Sequence, residues 1–439
     1  MKAALLVDSF WVLGTRFLLR GANFLVFLLL ARSLSVAEFG FYGYLMSTVV
    51  VLAVAFDLGL RQSVAFFVGR GTADERAAVV THMLLLWLAL GALAVFATWG
   101  MLASGGYANR GDALAVLAAL NAAPLLLLRM GEGVLLGRGA LAALNRSELI
   151  SRGVMLGGTA GLWALDGLDI GAAVWTLLAA HTAAGLYLLA QIRGDVAPGR
   201  LLDLPLVKRL LRHGAVFAGG IILMILMGRI GIWLVNALMG PDALGLYFGV
   251  QRLGEMLVEV ATAVGMVIFS HGVRAADQRE AASDAVRIAR VVTASMALLA
   301  AATIPVAPQF LALFLGAPYA AEADAFRIVM LGTLAACYNV MLFPCLSSQG
   351  LARVGVWAYG LGCAVALLGC LALVSRLGLF GAGLAYALAQ GSVAVVIAFA
   401  YRAKFGFGIA AVLLPQGEDL RDIAGLARSL PARLRRARG

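Results

Sequence analysis

FWVLGTRFLLRGANFLVFLLLARSL, residues 10–34, is long and apolar enough to cross a bilayer as a helix, yet it holds two arginines one turn apart. The ~30 Å hydrocarbon layer needs about 20 consecutive apolar residues. Arg16, Arg20 and Asn23 fall at i, i+4 and i+7, on one helical face. A charged side chain at mid-bilayer costs roughly 2.5–3.5 kcal/mol on insertion scales, so it persists where it faces a watery cavity or an opposite charge. The two cations repel each other unless something anionic sits between them, and guanidinium forks match phosphate oxygens. The competing reading is a pair snorkelling to the inner interface.

Similar apolar stretches fill the chain. Of its 439 residues 62% are hydrophobic and 13% charged, against about 25% charged in soluble domains. The stretches are continuously apolar rather than alternating, which excludes barrel strands. No cleavable signal peptide is evident before the first of them. Spans are expected at about 8–33, 39–57, 77–100, 112–137, 147–166, 169–192, 213–238, 243–270, 286–306, 325–348, 354–375 and 379–402. The net charge of +11, carried by 31 Arg and 3 Lys, collects in alternate loops. One set holds Arg61, Arg70, Arg76, then Arg138, Arg146, then Arg193 to Arg212, then Arg274, Arg279, then Arg353 and the tail. Cytoplasmic loops carry such an excess, so both termini are expected in the cytoplasm, and the basic charge needs no nucleic-acid partner.

A repeat supports the layout. AEFGFY at 37–42 and DALGLY at 242–247 each open a span, with Gly40 over Gly245 and Tyr42 over Tyr247 at an offset of 205. LLGRG at 135–139 and SSQGL at 347–351 correspond loosely. The expected fold is an all-α integral membrane protein of about 12 transmembrane helices. They form two six-helix bundles related by a pseudo-two-fold along the membrane normal, an arrangement that places substrate between repeats. The domains read as 1–192, a cytoplasmic linker 193–212 with a basic interfacial helix, 213–402, and a basic tail 403–439.

Further charges lie inside these spans. Arg252, Glu255 and Glu259 sit at i, i+3 and i+7, and Arg129 and Glu132 at i, i+3, so each arginine can pair within its own helix. Arg229 has no acid on its helix and needs a partner from another helix or a ligand. Arg327 reads as an interfacial anchor, Asp57 as an i+4 partner of Arg61, and Pro124 as a kink. The four cysteines read as packing residues, and the four histidines lack ligand spacing, so no metal is expected. No GxxxxGK[ST] or GxSxG occurs, so neither ATP hydrolysis at a Walker-type site nor a nucleophile elbow is expected.

LLLARSLSVAEFGFYGYLMS at 28–47, FDLGLRQSVAFFVGRG at 56–71 and PQFLALFLGAPYAAEADAFRIV at 308–329 resemble a known family. It is the polysaccharide-export, or oligosaccharide flippase, branch of the multidrug/oligosaccharidyl-lipid/polysaccharide exporter superfamily. The resemblance implies a bacterial inner-membrane flippase for undecaprenyl-diphosphate-linked oligosaccharide, working by alternating access, without enzymatic activity or cofactor. It implies a role for span-one arginine at the diphosphate. Arg16, Arg20, Asn23, Arg129, Arg229 and Arg252 are the expected diphosphate ligands, and Glu132, Glu255 and Glu259 the expected ion-coupling groups. Partners are expected to be the lipid-linked glycan, membrane lipids, and glycan polymerase or other assembly proteins, with the protein itself a monomer. The rival readings are a cation-coupled drug exporter and a membrane-embedded glycan polymerase or ligase, the second opposed by the short loops.

Overall fold

The computed structural model describes residues 21–104, 112–196, 203–274, 277–414, 416–417 and 419. Within bilayer hydrocarbon every backbone polar group must be satisfied inside its own segment or a closed barrel. The described residues accordingly form helices and no strand. The chain divides into two compact units, Met1–Ile222 and Leu223–Gly439.

The first unit contains α1, described over Gly21–Ser33, then α2 (Val36–Asp57), α3 (Leu60–Arg70), α4 (Ala73–Leu102), α5 (Asp112–Leu120), α6 (Ala122–Gly137), α7 (Leu141–Ala164) and α8 (Ile170–Ile192). Helix α9 (Leu204–Met239) runs across the division into the second unit. There follow α10 (Pro241–Arg274), α11 (Gln278–Thr303), α12 (Ala307–Phe314), α13 (Ala323–Ser348), α14 (Arg353–Phe405) and α15 (Ile409–Leu413). Among the described residues, eight helices are long and apolar enough to cross a membrane. Helices α7 and α10 also fall on expected spans and carry charges within them. The expected spans 354–375 and 379–402 are the two arms of α14, which turns at Gly378 (φ 59°).

Local sequence sets the ends. Ser35 and Glu38 make a capping box at the start of α2, and Thr72 and Glu75 do the same for α4. Pro124 has no N–H to return to the preceding turn, and the expected span 112–137 breaks at Asn121 into α5 and α6. Helices α6 and α13 end alike. Ala140 N–H donates to Leu135 O and Gly139 N–H to Leu136 O; Leu351 N–H donates to Leu346 O and Gly350 N–H to Ser347 O. Both are Schellman turns with a left-handed glycine. The structure thus matches Gly139 to Gly350, one residue away from the loose sequence correspondence.

The expected separate interfacial helix is, from Leu204 on, the first part of α9. Nothing between Leu204 and Met239 breaks the helix, and Leu206 and Leu210 are buried in the unit-1 core with Val64, Met83, Met130 and Leu188. Ser63 Oγ donates to Leu210 O at 2.8 Å, tying α9 to α3. The unit-2 core gathers Met227, Ile268, Met341, Ile397 and Tyr401 with Cys337 and Cys345. All four cysteines are free, Cys337, Cys345 and Cys370 buried and Cys363 half-buried, which suits the packing role read from the sequence.

Candidate functional site

Each unit gathers span charges into one cluster. In the second unit the frame is α10. Its Arg252 reaches Glu255 with Nη1 at 2.7 Å and Glu259 with Nη2 at 3.4 Å. Arg229 comes from α9 and places Nη1 2.9 Å from the other oxygen of Glu255. Glu255 therefore lies between two guanidiniums, with only 16% of its side chain accessible. Gln251, one turn earlier, donates from Nε2 to Gly228 O at 2.9 Å and so fastens α10 to α9 beside the cluster. Its buried Oε1 has no hydrogen-bond partner among the described residues.

In the first unit the frame is a helix break. Helix α2 ends at Leu58 in the left-handed region (φ 49°), Gly59 follows at φ 73°, and α3 starts at once. A Cβ at Gly59 would lie 2.1 Å from Gly214 O on α9, so the left-handed backbone and the close crossing both demand glycine. The break sets Asp57 and Arg61 beside α6. Asp57 Oδ1 accepts from the Arg61 backbone N–H at 3.3 Å, and its Oδ2 lies 3.6 Å from Arg129 Nη2. The Arg61 guanidinium turns to Glu132, Nη2 to Oε2 3.0 Å. Asp57 is 2% exposed.

These pairings correct two sequence readings. Arg129 and Glu132 were expected to pair along α6, and Asp57 with the Arg61 side chain; the structure exchanges the partners across the α2–α3 break. A helix crossing brings Asp57 closer to Arg129 than the next turn of α6 brings Glu132. The i, i+3 pair of Arg252 with Glu255 is present as expected. Arg229 finds its partner on another helix, one of the two outcomes its sequence allowed. The expected span cations are accordingly found, among the described residues, in two formally neutral clusters, Asp57/Arg61/Arg129/Glu132 and Arg229/Arg252/Glu255/Glu259. Arg16 and Arg20 lie outside the described residues, and Asn23 is half-buried on α1. Arg327 donates from Nε to Ile304 O at 3.1 Å and pairs with Asp324, as an anchor does. Among the described residues no three histidine, cysteine or acidic side chains converge as metal ligands.

Residues 29–324, about two thirds of the chain, match the family model described as polysaccharide biosynthesis protein. The chain belongs to that family. Solved structures agree on the fold. The lipid II flippase MurJ, in an inward closed conformation, is similar at TM-score 0.74 and 12% identity, over 94% of this chain and 92% of MurJ. An inward-facing multidrug resistance MATE transporter of the MOP superfamily is similar at TM-score 0.69 and 16% identity, over 88% and 94%. A MOP superfamily transporter from Pyrococcus furiosus, whose binding pocket has reverse polarity, is similar at TM-score 0.57 and 16% identity, over 90% and 98%. No curated protein sequence matches. This polysaccharide biosynthesis protein is thus a multi-pass membrane protein with the MOP transporter fold.

One buried pair in this member of the family escaped the sequence reading. Arg290 on α11 holds Asp419 with Nε at 3.0 Å and Nη2 at 3.2 Å, and donates from Nη1 to Ala411 O at 2.7 Å. Ala411 and Asp419, both beyond α14, are thereby tied to α11. A signal was present: Arg290 adjoins the stripe Ala282, Ala285, Val286, Ala289 and Met296, the buried face of α11. An arginine on such a face needs a carboxylate from elsewhere.

Proposed function

We propose that the protein is a flippase that carries undecaprenyl-diphosphate-linked oligosaccharide from the inner to the outer leaflet of the bacterial inner membrane. It works by alternating access, supplies surface polysaccharide synthesis, and catalyses no covalent step. Membership of the polysaccharide biosynthesis family supports the glycan role, and the MOP transporter fold supports movement of substrate rather than chemistry. The observation that carries the reading is the pair of Arg–carboxylate clusters on membrane-length helices, above all Glu255 shared between Arg229 and Arg252.

The chemistry follows from the sharing. A buried guanidinium without a counter-ion is strongly unfavourable, by about 3–5 kcal/mol when a pair is broken. A diphosphate brings several anionic oxygens and replaces a carboxylate on the arginine forks without stranding them. Protonation of Glu255 or Glu259 weakens the internal pairs and frees Arg229 and Arg252; Glu132 has the same relation to Arg61. Coupling of proton entry to substrate binding follows from that competition. Arg16, Arg20 and Asn23, with Arg129, complete the proposed diphosphate ligands. Both termini lie in the cytoplasm, and the protein works as a monomer beside a glycan polymerase and other assembly proteins.

The test is surface-glycan output in cells carrying Arg20→Ala or Arg229→Ala at normal membrane abundance. Loss of output is expected from both. Normal output from both removes the diphosphate site. The neutrality of the two clusters also favours a second reading, a cation-coupled drug exporter, because a cationic substrate is not repelled by them. That reading predicts that deletion sensitises cells to cationic dyes and leaves the glycan intact.

A further inference from the structure

We propose that the crossing of α3 and α9 is a binding site for an anionic phospholipid of the surrounding bilayer. Aromatic rings and cations alternate there, on residues that neither charge cluster uses. Phe66 and Phe67 stand edge to face with centroids 5.2 Å apart. His213 lies against both, stacked on Phe66 at 4.6 Å and edge-on to Phe67 at 5.4 Å, and touches Phe217 at 5.6 Å. The Arg70 guanidinium sits over Phe66 at 4.5 Å and the Arg209 guanidinium over Phe67 at 5.1 Å.

Two features mark these arginines. Arg61, Arg129, Arg138, Arg229, Arg252, Arg290 and Arg327 each reach a carboxylate. Arg70 and Arg209 are exposed and form no ion pair among the described residues. The rings also hold their guanidinium planes in place, so less side-chain freedom is lost when an anion binds.

The depth fits a lipid. Helix α9 has 36 residues, about 54 Å at ~1.5 Å per residue, against a hydrocarbon layer of ~30 Å. The excess suits its first turns, where Lys208, Arg209 and Arg212 are exposed as cations at headgroup level are. Two turns deeper Val216 is 68% exposed, and Phe217 and Phe66 are each 37% exposed. Along one face the surface passes from cation to aromatic ring to aliphatic side chain. A phospholipid presents phosphate, ester and acyl chain in the same order. Its cations and the Phe66 and Phe217 rings are exposed, so its affinity is modest, and by mass action an abundant membrane lipid fills it rather than a scarce carrier. The site needs only that α9 spans the bilayer and is independent of the flippase reading.

Native mass spectrometry of the full chain, released from mixed phosphatidylglycerol and phosphatidylcholine vesicles, reads the retained lipid. Phosphatidylglycerol is expected in preference to phosphatidylcholine. R70Q/R209Q is expected to lower that preference about 30-fold, or about 2 kcal/mol at ~1 kcal/mol per cation. Both side chains are exposed, so folding is retained, and circular dichroism checks it. F66L keeps every charge and is expected to give a smaller loss. Unchanged preference in R70Q/R209Q and F66L overturns the proposal. So does displacement of the lipid by inorganic phosphate, which marks a free-anion site, or by equimolar polyprenyl diphosphate, which marks a substrate site.

Discussion

The two charge clusters use the same kinds of residue at different depths in their units. At the offset of 205 that superposes Tyr42 on Tyr247, Asp57 and Arg61 fall on Thr262 and Met266, while Arg252, Glu255 and Glu259 fall on Ser47, Val50 and Val54. The first cluster sits where α2 ends, 21 residues beyond its start at Val36. The second begins 11 residues into α10, about 16 Å along a helix that crosses ~30 Å of hydrocarbon. A charge nearer mid-bilayer is more expensive to leave alone. The second cluster answers with a continuous helix and a carboxylate serving two cations. The first answers with a helix break and two separate pairs.

The largest expected effect tests the break. Gly59→Ala forces a left-handed alanine against the Gly214 carbonyl, both backbone faults, and should lose more than about 4 kcal/mol. Val264→Ala, at the same offset in unbroken α10, should lose about 1 kcal/mol. Thermal unfolding in detergent compares them, and similar losses would dissolve the distinction between the two helices.

Next comes the shared carboxylate. Glu255→Gln strands the part-buried Arg229 guanidinium, takes the shorter carboxylate contact from Arg252, and should cost about 3 kcal/mol. Glu132→Gln removes one pair whose side chains are 34% and 31% accessible, and should cost about 1 kcal/mol. Equal costs would mean that sharing carries no weight.

A smaller effect comes from reversing charges. Arg61→Glu with Glu132→Arg restores a one-to-one pair and should recover to within about 1 kcal/mol of the unaltered protein in a double-mutant cycle. Arg229→Glu with Glu255→Arg should fail to recover, because the new arginine faces Arg252. Recovery in both would show that α10 holds two independent pairs.

The smallest is Glu259→Gln. Its contact with Arg252 is 3.4 Å and its side chain 32% accessible, so the loss should stay near about 0.5 kcal/mol. A loss matching that of Glu255→Gln would make Glu259 an equal member of the cluster.

Much of the fold was legible in the chain because lipid leaves a backbone few options. An apolar run of spanning length must be a helix, and every described stretch expected to span is helical. The kink at Pro124 acts within a few residues and could be read directly. So could the Arg252–Glu255 pair, whose partners are one turn apart. The exchange of partners between Asp57, Arg61, Arg129 and Glu132 could not, because it depends on where α3 meets α6 after the break at Gly59. The same holds for Arg290 with Asp419, 129 residues apart, and for the ring-mounted arginines at the α3–α9 crossing.

The solvent, the helices and the charges that had to be neutralised follow from the order of residues, since each rests on transfer energies and local geometry. Which carboxylate neutralises which arginine, and which arginines lie over aromatic rings instead, came from the packing of the helices. An ion pair is chosen by distances of 3–4 Å, and those are fixed by how helices cross rather than by their spacing in the chain.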